Sequence, residues 1–149
     1  MNQKQIKKFE SKLISATDDE KLVHLDSLAF ALRHSDTSRA QKYGSELLEL
    51  AIKLNHPKSK SKAYRHLGAA HYLNGEYFET IKNFESSLKI ERNLLNDEGV
   101  SAGLNNLAII FSKIGNKQKS LNYYLNALDL FIKTGNVDGQ AACTSNIGL

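Results

Sequence analysis

Apolar residues recur every three or four positions along most of this chain, which is the spacing of helices that bury one face. Between residues 22 and 32, four leucines follow this spacing. Directly before them, Thr17 and Glu20 stand three residues apart, as in a capping box, where each side chain bonds the other residue's backbone amide. The pattern predicts a helix that begins after Thr17.

The same spacing continues to the end of the chain and predicts a fold made of helices alone. We expect His56-Pro57 to end one of these helices, because the residue before proline is pushed away from the helical region. Glycines with Asn or Asp neighbours mark the other turns. The predicted helices cover residues 3–15, 18–34, 39–55, 59–74, 76–95, 97–114 and 117–134, and a further one begins within 136–149.

The second half of the chain repeats itself after forty residues. Leu67 and Leu107, Gly75 and Gly115, Phe84 and Tyr124, and Leu88 and Leu128 are the matching positions. A fixed period of this size is typical of a repeat array, in which neighbouring helix pairs cover each other's apolar faces. The predicted fold is a single all-α domain, a right-handed α-solenoid of antiparallel helix pairs. Its segments are an N-terminal helix (3–15), a degenerate first repeat (18–55), a second (59–95), a third (97–134) and the start of a fourth (136–149).

The repeated residues resemble the tetratricopeptide repeat, whose motif has a Leu-Gly pair, a turn Gly-x-Tyr, an aromatic residue and an Ala-Leu pair. Leu67-Gly68, Gly75, Tyr77 and Phe84 follow this motif in the second repeat, and the third repeat follows it again. The forty-residue period resembles the longer variant found in bacterial signalling proteins and kinesin light chains. The proline that the family places near the repeat end occurs only as Pro57.

The resemblance implies a groove that holds an extended peptide along the first helix of each pair. Carried over by register, the groove residues are Lys62, Arg65, His66, Tyr72, Asn105, Asn106, Ile109, Lys113 and Asn146. Asn106 and Asn146 are one period apart, and an amide can both donate to and accept from a peptide backbone. The alternative is that each Asn bonds a neighbouring helix or turn.

A basic stretch between Leu50 and Gly75 contains no acidic residue. Lysines near a helix start oppose the helix dipole, and such a local inconsistency favours a functional surface, here one for an acidic peptide. A solvated loop is the alternative. The net charge of +4 permits an acidic partner without requiring one.

Catalytic and cofactor chemistry has no motif in this sequence. The five histidines lack metal-ligand spacing, Cys143 is the only cysteine, and there is no glycine-rich phosphate loop. We therefore expect no enzyme activity, no cofactor and no metal. No segment reads as a membrane span or secretion signal, so we expect a cytoplasmic protein without a membrane or nucleic-acid partner.

The sequence as a whole predicts a non-catalytic protein-binding scaffold, the regulatory or sensory region of a bacterial signalling protein. Residues 141–149 begin a helix whose partner is missing. We interpret the chain as the N-terminal part of a longer protein, with self-association through the C-terminal edge as a consequence. Two alternatives stay open: the regulatory part of a larger signalling enzyme, such as a nucleotide cyclase or histidine kinase, and a self-association module without a separate ligand.

Overall fold

Eight helices and no strand make up the part of the chain that the computed structural model describes, residues 1–148. This confirms the all-helical prediction. Leu149, the last residue of the predicted fourth repeat, lies outside the described residues. The helices are α1 (Gln3–Leu13), α2 (Asp18–Leu32), α3 (Thr37–Lys53), α4 (Pro57–Leu73), α5 (Tyr77–Asn93), α6 (Asp97–Lys113), α7 (Lys117–Thr134) and α8 (Val137–Ile147).

The ends of these helices follow local side-chain chemistry. The capping box before α2 is confirmed, because the Glu20 amide donates to the Thr17 hydroxyl and the Thr17 amide donates to the Glu20 carboxylate. Asp36, His56, Asn96, Asn116 and Asn136 each accept from the backbone amide three residues later. These caps satisfy amides that would otherwise have no partner inside the helix.

The predicted role of His56-Pro57 was wrong in its detail. Helix α3 ends at Lys53, and Asn55 turns the chain with a φ of 49°. Pro57 is instead the first residue of α4, where its missing N–H costs nothing and its fixed φ already suits a helix. The proline therefore starts the following helix.

From Asn55 to Gly135, left-handed residues recur every twenty positions and set the helix lengths. Asn55, Gly75, Leu95, Gly115 and Gly135 all have φ between 49° and 85°. Glycine adopts this conformation without strain, whereas Leu95 does not. Each of the helices α4 to α7 spans twenty residues together with its turn, and two of them make the forty-residue period.

The chain divides into two compact units within α5, and each is described by itself below. Unit 1 (residues 1–83) packs α1 on α2, α2 on α3 and α3 on α4, around a buried core that includes Leu28, Leu32 and Leu47. Unit 2 (residues 84–149) packs α6 on α7 and α7 on α8, and it buries Leu107 and Cys143 completely. The pairing of consecutive helices in each unit is the arrangement that the sequence predicted.

Candidate functional site

In unit 1, an ion-pair cluster joins the first helices of two successive pairs, α2 and α4. One oxygen of the Asp26 carboxylate lies 2.9 Å from the Lys62 Nζ, and the other lies 2.6 Å from the His66 Nε2. The His66 side chain is only 14% exposed, and the side chains of Asp26 and Lys62 are 27% and 37% exposed. Two of the predicted groove residues are therefore held together by an aspartate.

The electrostatics of this cluster favour an ionised Asp26. Burial alone would raise the pKa of Asp26, but hydrogen bonds and charge from His66 and Lys62 outweigh it and lower the pKa from 3.8 to about 2. The Asp26 carboxylate is consequently charged at neutral pH. It offsets the positive charge of Lys62 on α4, which would otherwise attract an acidic ligand.

Apolar side chains lie exposed beside this cluster. Val23 and Phe30 are 62% and 55% exposed, although both belong to a helix whose other face is fully buried. Their spacing from Asp26, three and four residues, places all three on one side of α2. The Arg33 guanidinium lies 3.7 Å from the centre of the Phe30 ring, and this cation–π contact stabilises the position of the ring. We name Val23, Asp26, Phe30, Lys62 and His66 the α2–α4 surface.

The remaining predicted residues of α4 face other neighbours. The Tyr72 ring packs against the Tyr77 ring at 5.9 Å, beside the turn to α5. Arg65 is half-buried, and its Nε has no hydrogen-bond partner among the described residues. This Nε is also closed to solvent, so it is an unsatisfied buried donor rather than a group that an incoming ligand can reach.

In unit 2, the predicted residues of α6 are uncharged except at the helix end. The Cys143 thiol of α8 donates to the Asn105 Oδ1 at 3.5 Å, which engages Asn105 between two helices. Burial raises the pKa of the Cys143 thiol, so this cysteine stays protonated. Asn106 and Ile109 are half-buried and Lys113 is exposed.

Asn146 lies in a different local setting from Asn106. It is exposed and lines a cavity of about 330 Å³ together with Ser120, Leu121 and Tyr124 of α7. Asn106, by contrast, makes no hydrogen bond to the described residues, so its amide is available. We name Asn105, Asn106, Ile109 and Lys113 the α6–α8 surface; the buried Cys143 of α8 bonds Asn105 of this surface.

Sequence reasoning missed that Asp26 bonds two of the groove residues, Lys62 and His66. A usable signal was present, because Asp26 and His66 are separated by one forty-residue period and therefore occupy equivalent helix positions. Equivalent positions on stacked pairs are neighbours in a solenoid. The predicted basic surface is further reduced because Lys53 lies 3.9 Å from the Asp18 carboxylate, while Lys58 stays exposed.

Metal-binding clusters and membrane-spanning helices are both absent from residues 1–148. No group of three or more His, Cys, Asp or Glu side chains there could hold a metal ion. None of the described helices is both long and apolar enough to cross a bilayer.

Residues 59–149 match the family model of the tetratricopeptide repeat. Because the match covers more than half of the chain, this protein belongs to the tetratricopeptide repeat family, and the predicted resemblance is confirmed. Repeats of this family bind proteins or peptides, so the coarse prediction of a protein-binding domain holds.

Similar curated proteins carry the name Photosystem I assembly protein Ycf3. The protein from Prochlorococcus marinus (strain MIT 9211) is 38% identical over 86 residues, covering 58% of this chain and 44% of the relative. The one from Synechococcus sp. (strain CC9311) is 31% identical over 105 residues, covering 70% of this chain and 56% of the relative. The chain thus spans about half the length of the curated relatives it matches.

Solved structures show the same fold. The tetratricopeptide repeat domain of Arabidopsis FLU aligns with a TM-score of 0.73 at 23% identity, covering 78% of this chain and 99% of that domain. BtubC (BKLC) from P. vanneervenii aligns with a TM-score of 0.71 at 22% identity, and the alignment covers 94% of this chain and 57% of BtubC. At these identities the likeness concerns the fold alone.

Proposed function

We propose that this protein is a non-catalytic assembly factor that holds an extended segment of a partner protein on the first helices of its repeats. The observation that carries the proposal is the α2–α4 surface. There, a fixed Asp26–Lys62–His66 cluster lies beside the exposed side chains of Val23 and Phe30. Exposed aromatic residues beside oriented polar groups are the usual anchors of protein interfaces.

The chemistry of this surface favours a segment with an apolar side chain over a strongly acidic one. Asp26 already pairs with Lys62 and contacts His66, two of the groove residues that the sequence offered to an acidic peptide. Phe30 offers exposed apolar area. In unit 2, the amide of Asn106 can bond the peptide backbone without selecting a side chain.

The relatives support assembly rather than signalling. Their name assigns them to the assembly of photosystem I, and none of the relatives described above has a signalling name. We extend only the class of role to this chain: transient binding of a partner's segment while a complex forms. The signalling role, the two alternatives weighed from the sequence, self-association and a cytoplasmic location stay predictions.

A peptide-selection experiment tests the proposal. A library of random twelve-residue peptides is selected on the wild-type protein, and the affinity of enriched peptides is then measured for Phe30→Ala. Burying a Phe side chain is worth about 1.5–3 kcal/mol, so we expect a loss of at least about tenfold.

Phe78→Ala is the matched control, because Phe78 is also an exposed phenylalanine but lies on α5, at 78% exposure. The control variant should bind like the wild type. Equal affinity of all three proteins for the selected peptides, or a selection that enriches no peptide, would refute the proposed surface.

A further inference from the structure

The positive charge of this protein is concentrated at one end of the chain. Residues 1–12 contain four lysines and one glutamate, a charge of +3, whereas residues 13–149 contain sixteen basic and fifteen acidic residues, a charge of +1. Most of the net charge of +4 therefore belongs to α1. The surfaces proposed for peptide binding use none of these lysines.

All four lysines of α1 point outward. Lys4, Lys7, Lys8 and Lys12 are exposed, and none forms an ion pair with the described residues. The one acidic residue of the helix, Glu10, faces inward, where it accepts hydrogen bonds from Tyr43 at 2.7 Å and from Arg39. The outer face of α1 is therefore a lysine ridge, defined by these four residues, without a compensating charge.

This ridge is unfavourable for the helix itself. Lys4 and Lys8, and Lys8 and Lys12, are like charges four residues apart, an arrangement that destabilises a helix. The first turn also holds a lysine and no acidic residue, which opposes the helix dipole. Lys12 alone is favourably placed, in the last turn and with its Nζ 5.4 Å from the centre of the Phe9 ring. The other three lysines weaken the helix without such a contact, and this indicates a role outside the fold.

From this charge complementarity we propose that the lysine ridge docks the protein on the surface of an anionic lipid bilayer. Clusters of four or more basic residues on an amphipathic helix are the pattern that binds anionic lipid headgroups. Lysine ammonium groups are compact point charges without the planar fork of arginine, and they suit a diffuse layer of charge better than a shaped pocket.

The packing of α1 defines how this contact is made. Ile6 is only 3% exposed, and Phe9 and Leu13 pack against the core of unit 1, so the apolar face of the helix is occupied. The helix therefore rests on headgroups rather than inserting its apolar face. Met1 and Ile14, 52% and 88% exposed, stand near its two ends and can enter the headgroup layer.

Nucleic acid fits this ridge less well. Single-stranded binding needs aromatic side chains on which bases stack. The aromatic residue of α1, Phe9, is half-buried and packs edge-on against His24 at 5.3 Å. A spanning segment is not required for surface docking, so the finding that no described helix crosses a membrane leaves the proposal intact.

Vesicle co-sedimentation of the full chain tests the proposal. Vesicles of phosphatidylcholine with about one-third phosphatidylserine are compared with pure phosphatidylcholine, at low and near-physiological salt. We expect binding to the anionic vesicles only, weakening as salt rises, because the attraction falls off within a Debye length.

Two quadruple variants with the same net charge separate the ridge from bulk charge. In the ridge variant, Lys4, Lys7, Lys8 and Lys12 are all changed to Gln. In the control variant, the same change is made at the exposed Lys58, Lys89, Lys117 and Lys119. Each ridge lysine contributes roughly fivefold near such a surface, so the ridge variant should bind at least about a hundredfold more weakly. The control variant should keep nearly all of its binding, and replacing the ridge lysines by Arg should retain it.

Several outcomes would overturn the proposal. Absence of binding to anionic vesicles would do so, as would an equal loss in both quadruple variants. Binding of a polyglutamate peptide or duplex DNA in place of vesicles would assign the ridge to another acidic macromolecule. Circular dichroism confirms that the variants fold, and removing like-charge repulsion is expected to preserve α1.

Discussion

The α2–α4 surface of unit 1 and the α6–α8 surface of unit 2 use equivalent helix positions for different chemistry. The first is fixed by an aspartate between a lysine and a histidine, whereas the second carries two amides, one of them engaged by a buried thiol. A charged cluster orients its members and responds to pH. An uncharged amide pair can bond the backbone of peptides with many different side chains, and its binding depends little on pH.

The difference teaches that a repeat framework determines position rather than recognition. Leu67 and Leu107 occupy the same buried position in successive repeats, yet the residues next to them, His66 and Asn106, are unlike. The framework residues must match because each pair covers the next. The surface residues are free of that requirement, so each pair can present its own chemistry.

The largest predicted effects come from the glycines that support the two surfaces. A Cβ on Gly139, at the start of α8, would lie 2.4 Å from the buried ring of Phe131, whereas a Cβ on Gly44 would meet Leu67 and His66 of α4 at an acceptable 3.4 Å. Gly139→Ala should destabilise the protein by about 3 kcal/mol, and Gly44→Ala should stabilise it by up to about 1 kcal/mol. Urea unfolding measures both, and effects of equal sign would contradict the packing described here.

Breaking the charged cluster should cost somewhat less. Asp26→Asn removes a carboxylate whose pKa is lowered from 3.8 to about 2, a difference worth about 2 kcal/mol at neutral pH. Because the folded pKa lies below the unfolded one, this stability is present above about pH 4 and is lost as the pH falls towards 2.

Urea unfolding of wild type and Asp26→Asn across this pH range measures the effect. The two proteins should converge near pH 2 and differ most near neutrality. As a control, the gap between wild type and Asn105→Ala should not change with pH, and a constant gap for Asp26→Asn would count against the cluster.

Substitutions in the two turns that flank α6 should have smaller effects on stability, and the two effects should be opposite in sign. Leu95 adopts φ 53° while 87% exposed, so Leu95→Gly relieves strain without losing packing. Gly115 has φ 85° and open space around it, so Gly115→Ala adds strain alone. We expect about 1 kcal/mol of stabilisation from the first and about 1 kcal/mol of destabilisation from the second, read from thermal unfolding.

The smallest stability effects are expected on the α6–α8 surface itself. Asn106→Ala should change the free energy of unfolding by less than about 0.5 kcal/mol, because its amide has no partner to lose. It should nevertheless weaken binding of selected peptides, while Asn105→Ala affects stability more than binding. Isothermal titration of both variants distinguishes these roles, and unchanged binding by Asn106→Ala would remove it from the groove.

The helices and their period could be predicted from the sequence because both depend on local spacing. The capping box at Thr17 and the forty-residue recurrence of Leu67 and Leu107 are two such signals. The role of Pro57 was misjudged because proline suits both the space after a helix and the first position of the next. Asn55, which turns the chain there, carries a much weaker signal than glycine.

The candidate site was less predictable, because its decisive contacts join residues far apart in the chain. Lys62 and His66 were correctly placed on one helix, but their partner Asp26 belongs to another repeat. Likewise, nothing in the local sequence distinguishes Asn105, which bonds Cys143, from the adjacent Asn106. Such pairings follow from the stacking of whole helix pairs.

The even spacing of the turns has a consequence for how this chain can be rebuilt. Since a left-handed residue falls every twenty positions, a forty-residue block such as 97–136 begins and ends at the same point of the structural cycle. Inserting a second copy of that block after Asn136 would therefore preserve every cap and turn on both sides. A lengthened protein of this kind would add another pair of amides, and with it more room for a longer peptide.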